Sequence, residues 1–345
     1  MTPDPICDLS AVGMAGEIAA GRLSARETVT AHLRRIEHLN PRVNAIVTLA
    51  AERAVAEAAA ADEAQARGET LGSLHGLPVA HKDLQPTAGI RTTWGSSLFA
   101  DFVPTEDSLL VERMRSAGAI TLGKTNTPEF GAGSQTFNPV FGPTLNPWDR
   151  TKTCGGSTGG GAVALACGMA ALCDGSDLGG SLRNPASYCG VVGLRPSAGR
   201  VPAWPVPMAW SPMSVEGPLA RTVSDIALFL EAISIPDPRA PLALAPFRAD
   251  RLDADVKGTR IAWWKDLGGI PVDPEVRSIT NAQRRVFEAL GCIVEEAEPD
   301  WSGADETFRI LRFWSQSLRM GEQVAKHPDL VKDTIRWEVE QGARL

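Results

Sequence analysis

Residues 154–202 read CGGSTGGGAVALACGMAALCDGSDLGGSLRNPASYCGVVGLRPSAGRVP. Two Gly-Gly-Ser triplets, ending at Ser157 and Ser181, flank the run AVALACGMAAL at 162–172. Side chains this small let a helix lie close against a sheet, so the run predicts a packed helix with both serines facing one cleft. Upstream, HGLPVAHKD (75–83), a helical stretch near Ser108–Ala117 and AITLGKTN (119–126) predict strand, helix and strand. Nearer the N-terminus, Ser24 and Glu27 stand as a capping box before Val29, Leu33 and Ile36, predicting an amphipathic helix that Asn40-Pro41 ends. Ala50 to Arg67, rich in Ala, Glu and Arg, predicts a second helix. Downstream, Val201 to Pro218 carries five prolines and two tryptophans and reads as a long loop. Arg260–Trp264, Pro274–Leu290 and Cys292–Glu296 then predict a strand, helix and strand in a βαβ-like unit.

The chain of 345 residues suits one large α/β layer or about two domains of roughly 150 residues each. Its apolar share of 43% and charged share of 22% are those of a globular protein and exclude disorder or collagen-like repeats. A net charge of −7 repels a phosphate backbone, which argues against nucleic acid as a partner. The apolar runs fall short of the roughly 18–20 residues needed to cross a membrane, and MTPDPICDLS lacks the regions of a secretory signal. A cytoplasmic location without membrane contact is the expectation. Six scattered cysteines, with no C-x-x-C pair, predict free and mostly buried thiols with no metal site.

Two motifs carry competing chemistry. Gly118–Thr125, GAITLGKT, fits the phosphate-loop pattern, but Ala119 to Leu122 reads as a buried strand and Pro128 leaves no room for the helix that cradles phosphate. Lys124 is then a structural residue. Gly155–Gly159, GGSTG, fits the nucleophile elbow of α/β-hydrolases and would make Ser157 the attacker. That elbow needs a strand before it and a histidine after it, whereas NPWDRTKTC is broken by Pro147 and charges, and His327 is the only later histidine. His32, His38, His75 and His81 read as surface or packing residues.

Two serines and a lysine give a better account. A serine hydroxyl needs a base at neutral pH, and a lysine whose charge is suppressed by burial can serve. Lys82 follows Leu77-Pro78-Val79-Ala80, which places its amine at a strand end above an apolar interior.

Residues 154–202 resemble the amidase signature, and HGLPVAHKD, GAITLGKTNTPEFG and FGPTLNPWD match the blocks that precede it, in order and spacing. The resemblance continues through EGPLARTVSDIAL into the βαβ-like unit. It implies an α/β fold, a mixed and mostly parallel sheet with helices on both faces. It implies one domain over 1–345: a helical scaffold at 1–70, a catalytic core at 71–220 and an α/β continuation at 221–345, apparently without the family's usual C-terminal part. By the same resemblance Ser181 is the nucleophile, Ser157 the bridging serine after a cis peptide, and Lys82 the base. Gly156 relieves crowding beside Ser157. The backbone of Leu178, Gly179 and Gly180 forms the oxyanion hole, and Asp177 and Arg183 clamp that turn. Thr158 stands where many members have a second serine, with little effect expected.

The implied reaction is hydrolysis of a small-molecule carboxamide through an acyl-serine, with no cofactor and no metal; esters and carbamates present the same carbonyl geometry. Trp204, Met208 and Trp210 are candidates for an apolar substrate wall, with structural packing as the equal alternative. The resemblance leans toward the branch acting on small or xenobiotic amides. The glutaminase component of tRNA-dependent amidotransferases is an alternative, disfavoured by Asn184 and by the apolar VPAWPVP. A catalytically silent scaffold is an alternative of another class. A homodimer is the assembly to test.

Overall fold

The computed structural model describes residues 4–264, 266 and 269–345. In chain order, the first 249 residues form α1 (Ala11–Ala19), α2 (Ala25–Val43), β1 (Ile46–Leu49), α3 (Ala51–Ala66), β2 (Pro78–Lys82), α4 (Leu109–Ser116) and β3 (Ile120–Thr125). There follow the short strands β4 (Phe137–Asn138) and β5 (Gly142–Pro143), then α5 (Gly159–Ala166), β6 (Leu172–Asp177), α6 (Arg183–Cys189), β7 (Val192–Gly193), β8 (Val215–Ala220) and α7 (Val223–Ile233).

The main sheet has the order β1-β3-β2-β6-β8-β7. β2 pairs in parallel with β3 and β6, while β1, β8 and β7 join by antiparallel pairings that leave β7 running with β6. Alternating side chains of each central strand feed two cores, because successive residues of a strand point to opposite faces. Val79, Leu172 and Ala220 pack with Met14 and Ile18 of α1, Met114 of α4 and Phe229 of α7. Their neighbours Ala80, Cys173 and Leu219 pack with Val29 and Ile36 of α2, Ala54 of α3 and Ala162 to Leu165 of α5. Helices therefore cover both faces.

The close approach of α5 explains its composition. A Cβ on Gly160 would lie 2.3 Å from the Asn126 amide nitrogen and 2.7 Å from the Ala45 carbonyl. Only a bare backbone fits there.

The capping box forms as expected: Ser24 and Glu27 satisfy each other's backbone N–H. Pro41 does not end its helix, however. It lies in the last turn of α2, and Asn44 in the left-handed region closes the helix instead. The Asn40 side chain, which accepts from the Ala45 and Ile46 amides, ties that turn to β1. The proline-rich stretch is also shorter than expected, since β8 begins at Val215 and takes in Pro218. Pro218 still contributes its carbonyl, which accepts from Leu194. All six cysteines are free, and Cys7, Cys154, Cys173 and Cys189 are buried.

The second compact unit, residues 250–345, contains β9 (Arg260–Trp263), α8 (Pro274–Ala282), α9 (Arg284–Ala289), β10 (Ile293–Glu296), α10 (Ala304–Lys326) and α11 (Asp333–Gly342). β9 and β10 pair in parallel, as the βαβ-like pattern predicts, with the intervening helix divided at Gln283. α10 and α11 pack as a helical pair around Met320, Ile335 and Val339, and Arg312 grips Glu338 with two bonds of 2.6 and 3.1 Å. Among the described residues no helix is long and apolar enough to cross a membrane.

Candidate active site

Lys82 is the last residue of β2, a strand with no exposed position, and the side chain itself is 0% exposed. Its amine donates to three hydroxyls: Ser157 Oγ at 2.7 Å, Thr158 Oγ1 at 2.9 Å and Ser176 Oγ at 3.0 Å. A hydroxyl can donate as well as accept, so this company suits a neutral amine as well as an ammonium. Burial pushes the Lys82 pKa down to about 7, against the carboxylates of Asp174, Asp177 and Glu216, which push it up. Near neutral pH a substantial share of the amine is uncharged and able to accept a proton.

The Gly156-Ser157 peptide bond is cis. A Cβ on Gly156 would meet the Ser134–Gln135 backbone at about 3.0 Å, so the absent side chain clears the approach. Ser157 is buried, immediately before the helix that begins at Gly159. Ser181 is half-buried on the turn between β6 and α6, and its carbonyl accepts the Thr158 N–H at 3.2 Å. The two serine-bearing turns are thus joined through their backbones.

Asp177 organises the second turn. Arg183 donates to both of its carboxylate oxygens, at 3.0 and 3.1 Å, and the Gly180 and Leu182 amides bond to it at 2.8 and 3.2 Å. Burial pushes the Asp177 carboxyl up, but the Arg183 fork and those two amides outweigh it and hold the pKa at about 2. Arg195, which the sequence did not single out, adds bonds to the Asp177 carbonyl and carboxylate. The Gly180 N–H, one of the three expected oxyanion donors, bonds to Asp177 Oδ1. The amides of Leu178, Gly179 and Ser181 have no hydrogen-bond acceptor among the described residues.

Among the described residues no hydrogen bond or ring contact links Trp204, Met208 or Trp210 to Lys82, Ser157 or Ser181. The Arg239 guanidinium covers the Trp204 ring at 4.8 Å, and the Trp204 carbonyl accepts from Leu109 at the start of α4. Trp210 is 74% exposed, and Met208 is half-buried. The phosphate-loop-like segment is strand β3, with Lys124 buried and donating to the Gln85 carbonyl and, at 2.7 Å, to Thr87 Oγ1. Among the described residues no three His, Cys, Asp or Glu side chains converge as a metal site requires.

Three participants escaped the sequence reading: Ser176 and Thr158 as partners of the amine, and Asp174 beneath it. The alternation in β6 was the available signal, since Asp174 and Ser176 lie two apart on the strand that leads to the Ser181 turn.

Sheet and site together define an α/β protein with a buried lysine–serine contact at the carboxyl ends of its central strands, where open α/β sheets place their ligands. The chain belongs to the amidase family, whose profile, described as Amidase, matches residues 27–312. It is 40% identical over 310 residues to an acylamidase of Rhodococcus erythropolis, covering 89% of this chain and 65% of that protein. It is 45% identical over 278 residues to a component of the glutamyl-tRNA(Gln) amidotransferase of Moorella thermoacetica, covering 79% of this chain and 57% of that one. The chain thus spans less than two thirds of these relatives. A solved structure of a bacterial aryl acylamidase of the amidase signature family superposes with a TM-score of 0.92 at 29% identity, covering 99% of this chain and 74% of the other.

Proposed function

We propose that the chain hydrolyses the C–N bond of small carboxamides through an acyl-serine. The observation that carries this reading is the 2.7 Å contact from the buried Lys82 amine to Ser157, on the turn whose Thr158 amide is bonded to Ser181. Ser181 Oγ attacks the carbonyl carbon while its proton passes to Ser157 and the Ser157 proton to neutral Lys82. The amides of Leu178, Gly179 and Ser181 hold the oxyanion, and each such donor is worth about 2.7–4 kcal/mol in other enzymes. As the C–N bond breaks, the leaving nitrogen takes a proton returned from Lys82 through Ser157. Water, deprotonated through the same relay, then attacks the acyl carbon, and the departing Ser181 oxygen takes that proton back through Ser157 as the acid leaves. Esters and carbamates enter the same cycle, because only the leaving atom changes. The likeness to an acylamidase and an aryl acylamidase supports N-acyl amines, aryl ones included, as the substrate class.

The test is fluorophosphonate labelling of the purified chain with the modified residue located by mass spectrometry, beside release of 4-nitroaniline from 4-nitroacetanilide. Label on Ser181, lost in Ser181→Ala and in Lys82→Ala, is the expected result. Label on Ser157, or no label on folded protein, overturns the assignment. A second reading, a glutaminase working with partner proteins, draws support from relatives such as the Moorella amidotransferase component. Ammonia release from glutamine, with no hydrolysis of the anilide, decides for it.

A further inference from the structure

Below the Lys82–Ser157 contact lies a buried polar set that the proposed reaction does not use. His81 on β2 and Asp174 on β6 are both fully buried, and His81 Nδ1 donates to Asp174 Oδ2 at 2.5 Å. The other ring nitrogen of His81 lies 3.1 Å from Thr121 Oγ1 on β3. The second carboxylate oxygen, Oδ1, accepts the backbone N–H of Lys82 at 2.9 Å. The parallel register of β2 and β6 runs only through Val79–Leu172 and Ala80–Cys173. Just past its end, a side chain takes the place of a strand partner for the Lys82 N–H. The carboxylate therefore ties β6 to β2, the His81 ring extends the link to β3, and the main chain from which the Lys82 side chain departs is anchored.

A neutral side chain could accept that N–H as well, and an ionised carboxylate is costly to bury. The charge matters for its neighbour. Asp174 and Asp177 on β6 and Glu216 on β8 act on the Lys82 amine, while α5 and the residues before it present only the hydroxyls of Ser157 and Thr158. Asp174 itself is faced by His81 and Lys82 from β2, Lys124 from β3, Cys173 beside it on β6 and Glu216 from β8. Of the carboxylates acting on Lys82, Asp174 alone is bonded directly to the lysine's own backbone among the described residues.

We propose that Asp174, clamped between the His81 ring and the Lys82 main chain, is a positioning residue for the base: it fixes where the lysine side chain starts and holds a carboxylate 2.9 Å from that lysine's main-chain nitrogen. The proposal rests on the reading of Lys82 as the base and deepens it. An aspartate too close would keep the amine charged and idle, and none would leave it a weaker base. His81 holds the carboxylate in one orientation through its ring N–H.

Asp174→Asn separates charge from shape. The amide oxygen still accepts the Lys82 N–H, and the amide nitrogen can donate to His81 Nδ1 once the ring proton moves to Nε2. The readout is the pH titration of lysine 13Cε resonances in isotopically labelled protein, with the Lys82 signal identified by its loss in Lys82→Met. The expected result is a Lys82 midpoint lower by about one pH unit, a tenfold loss of proton affinity. An unmoved or raised midpoint overturns the proposal. Asp83→Asn serves as the control, since that carboxylate acts on Lys124; a shift of Lys82 as large as that in Asp174→Asn also overturns it. Should Asp174→Asn fail to fold, the unaltered protein still decides. The His81 ring 15N signals, bonded to the same carboxylate, should inflect at the Lys82 midpoint, and a flat response there refutes the link. None of these signals needs turnover. An inactive chain therefore defeats the proposed reaction alone, whereas an active chain with an unmoved midpoint defeats only this inference.

Discussion

Lys82 and Lys124 stand on neighbouring strands of one sheet, one residue apart in the β2–β3 register, and neither has any solvent exposure. Burial pushes both amines down, to about 7 for Lys82 and about 8 for Lys124. Their company differs. Lys82 meets three hydroxyls, each able to reverse its hydrogen bond as a proton moves. Lys124 meets the Gln85 carbonyl, which can only accept, and the Thr87 hydroxyl, with the Asp83 carboxylate as the leading opposite charge. A buried lysine becomes a candidate base when its partners can exchange protons with it. The same burial beside fixed acceptors gives a structural cation.

The largest expected effect separates the two. Lys82→Met should lower Ser181 labelling and anilide hydrolysis by about 10²- to 10⁴-fold, the range for loss of a general base, with the melting temperature little changed. Lys124→Met should instead destabilise the fold by about 2–3 kcal/mol, because the Gln85 carbonyl and the Thr87 hydroxyl, which bond each other at 3.0 Å, each lose their bond to the buried amine. Its activity per folded molecule should stay within a few-fold of the parent. Denaturant melts and active-site titration of both variants check this. Equal catalytic losses, with both folds intact, would break the comparison.

The next effect is the pH dependence. Only the uncharged amine can take the serine proton, so the labelling rate should rise through a midpoint near 7, the Lys82 pKa, and level off above it. Below the midpoint the rate should fall tenfold per pH unit, since one proton blocks the base. The measurement is the second-order labelling rate from about pH 5 to 9 on protein shown to be folded throughout. A rate flat across that range would show that Lys82 is not the titrating base.

How much of this the sequence disclosed depends on the kind of interaction. The glycine-bounded serines, the short strand ending in Lys82 and the strand–helix–strand pattern near residue 260 are local signals, and each element appears near its expected place. Lys124 is separable from a phosphate loop because Ala119 to Leu122 reads as a buried strand, and β3 runs from Ile120. The polar wiring was not legible. The Asp174 bonds to His81 and Lys82 span 93 and 92 residues, and the Arg195 grip on Asp177 depends on how the chain returns after α6. Pro41 misled because a proline can be carried inside a last turn when a neighbouring Asn side chain serves the amides that follow. The proposed oxyanion turn comes from the resemblance of residues 177–181 to the family's loop, whereas the bond of the Gly180 amide to Asp177 is one that no glycine pattern encodes.

The smallest effects sharpen the contrast one hydroxyl at a time. Thr158→Ser keeps the oxygen that Lys82 touches at 2.9 Å and should change the labelling rate by less than about threefold, whereas Thr158→Val should cost roughly tenfold, about the worth of one hydrogen bond. On the other side, Thr87→Val removes a partner of Lys124 and should lower stability by about 1 kcal/mol with no change in rate. Labelling kinetics and melting curves on the three variants set rate against stability at each hydroxyl. If Thr87→Val slowed labelling as much as Thr158→Val, the two amines would share one functional network, and the division between a proton-exchanging lysine and a structural one would have to be given up.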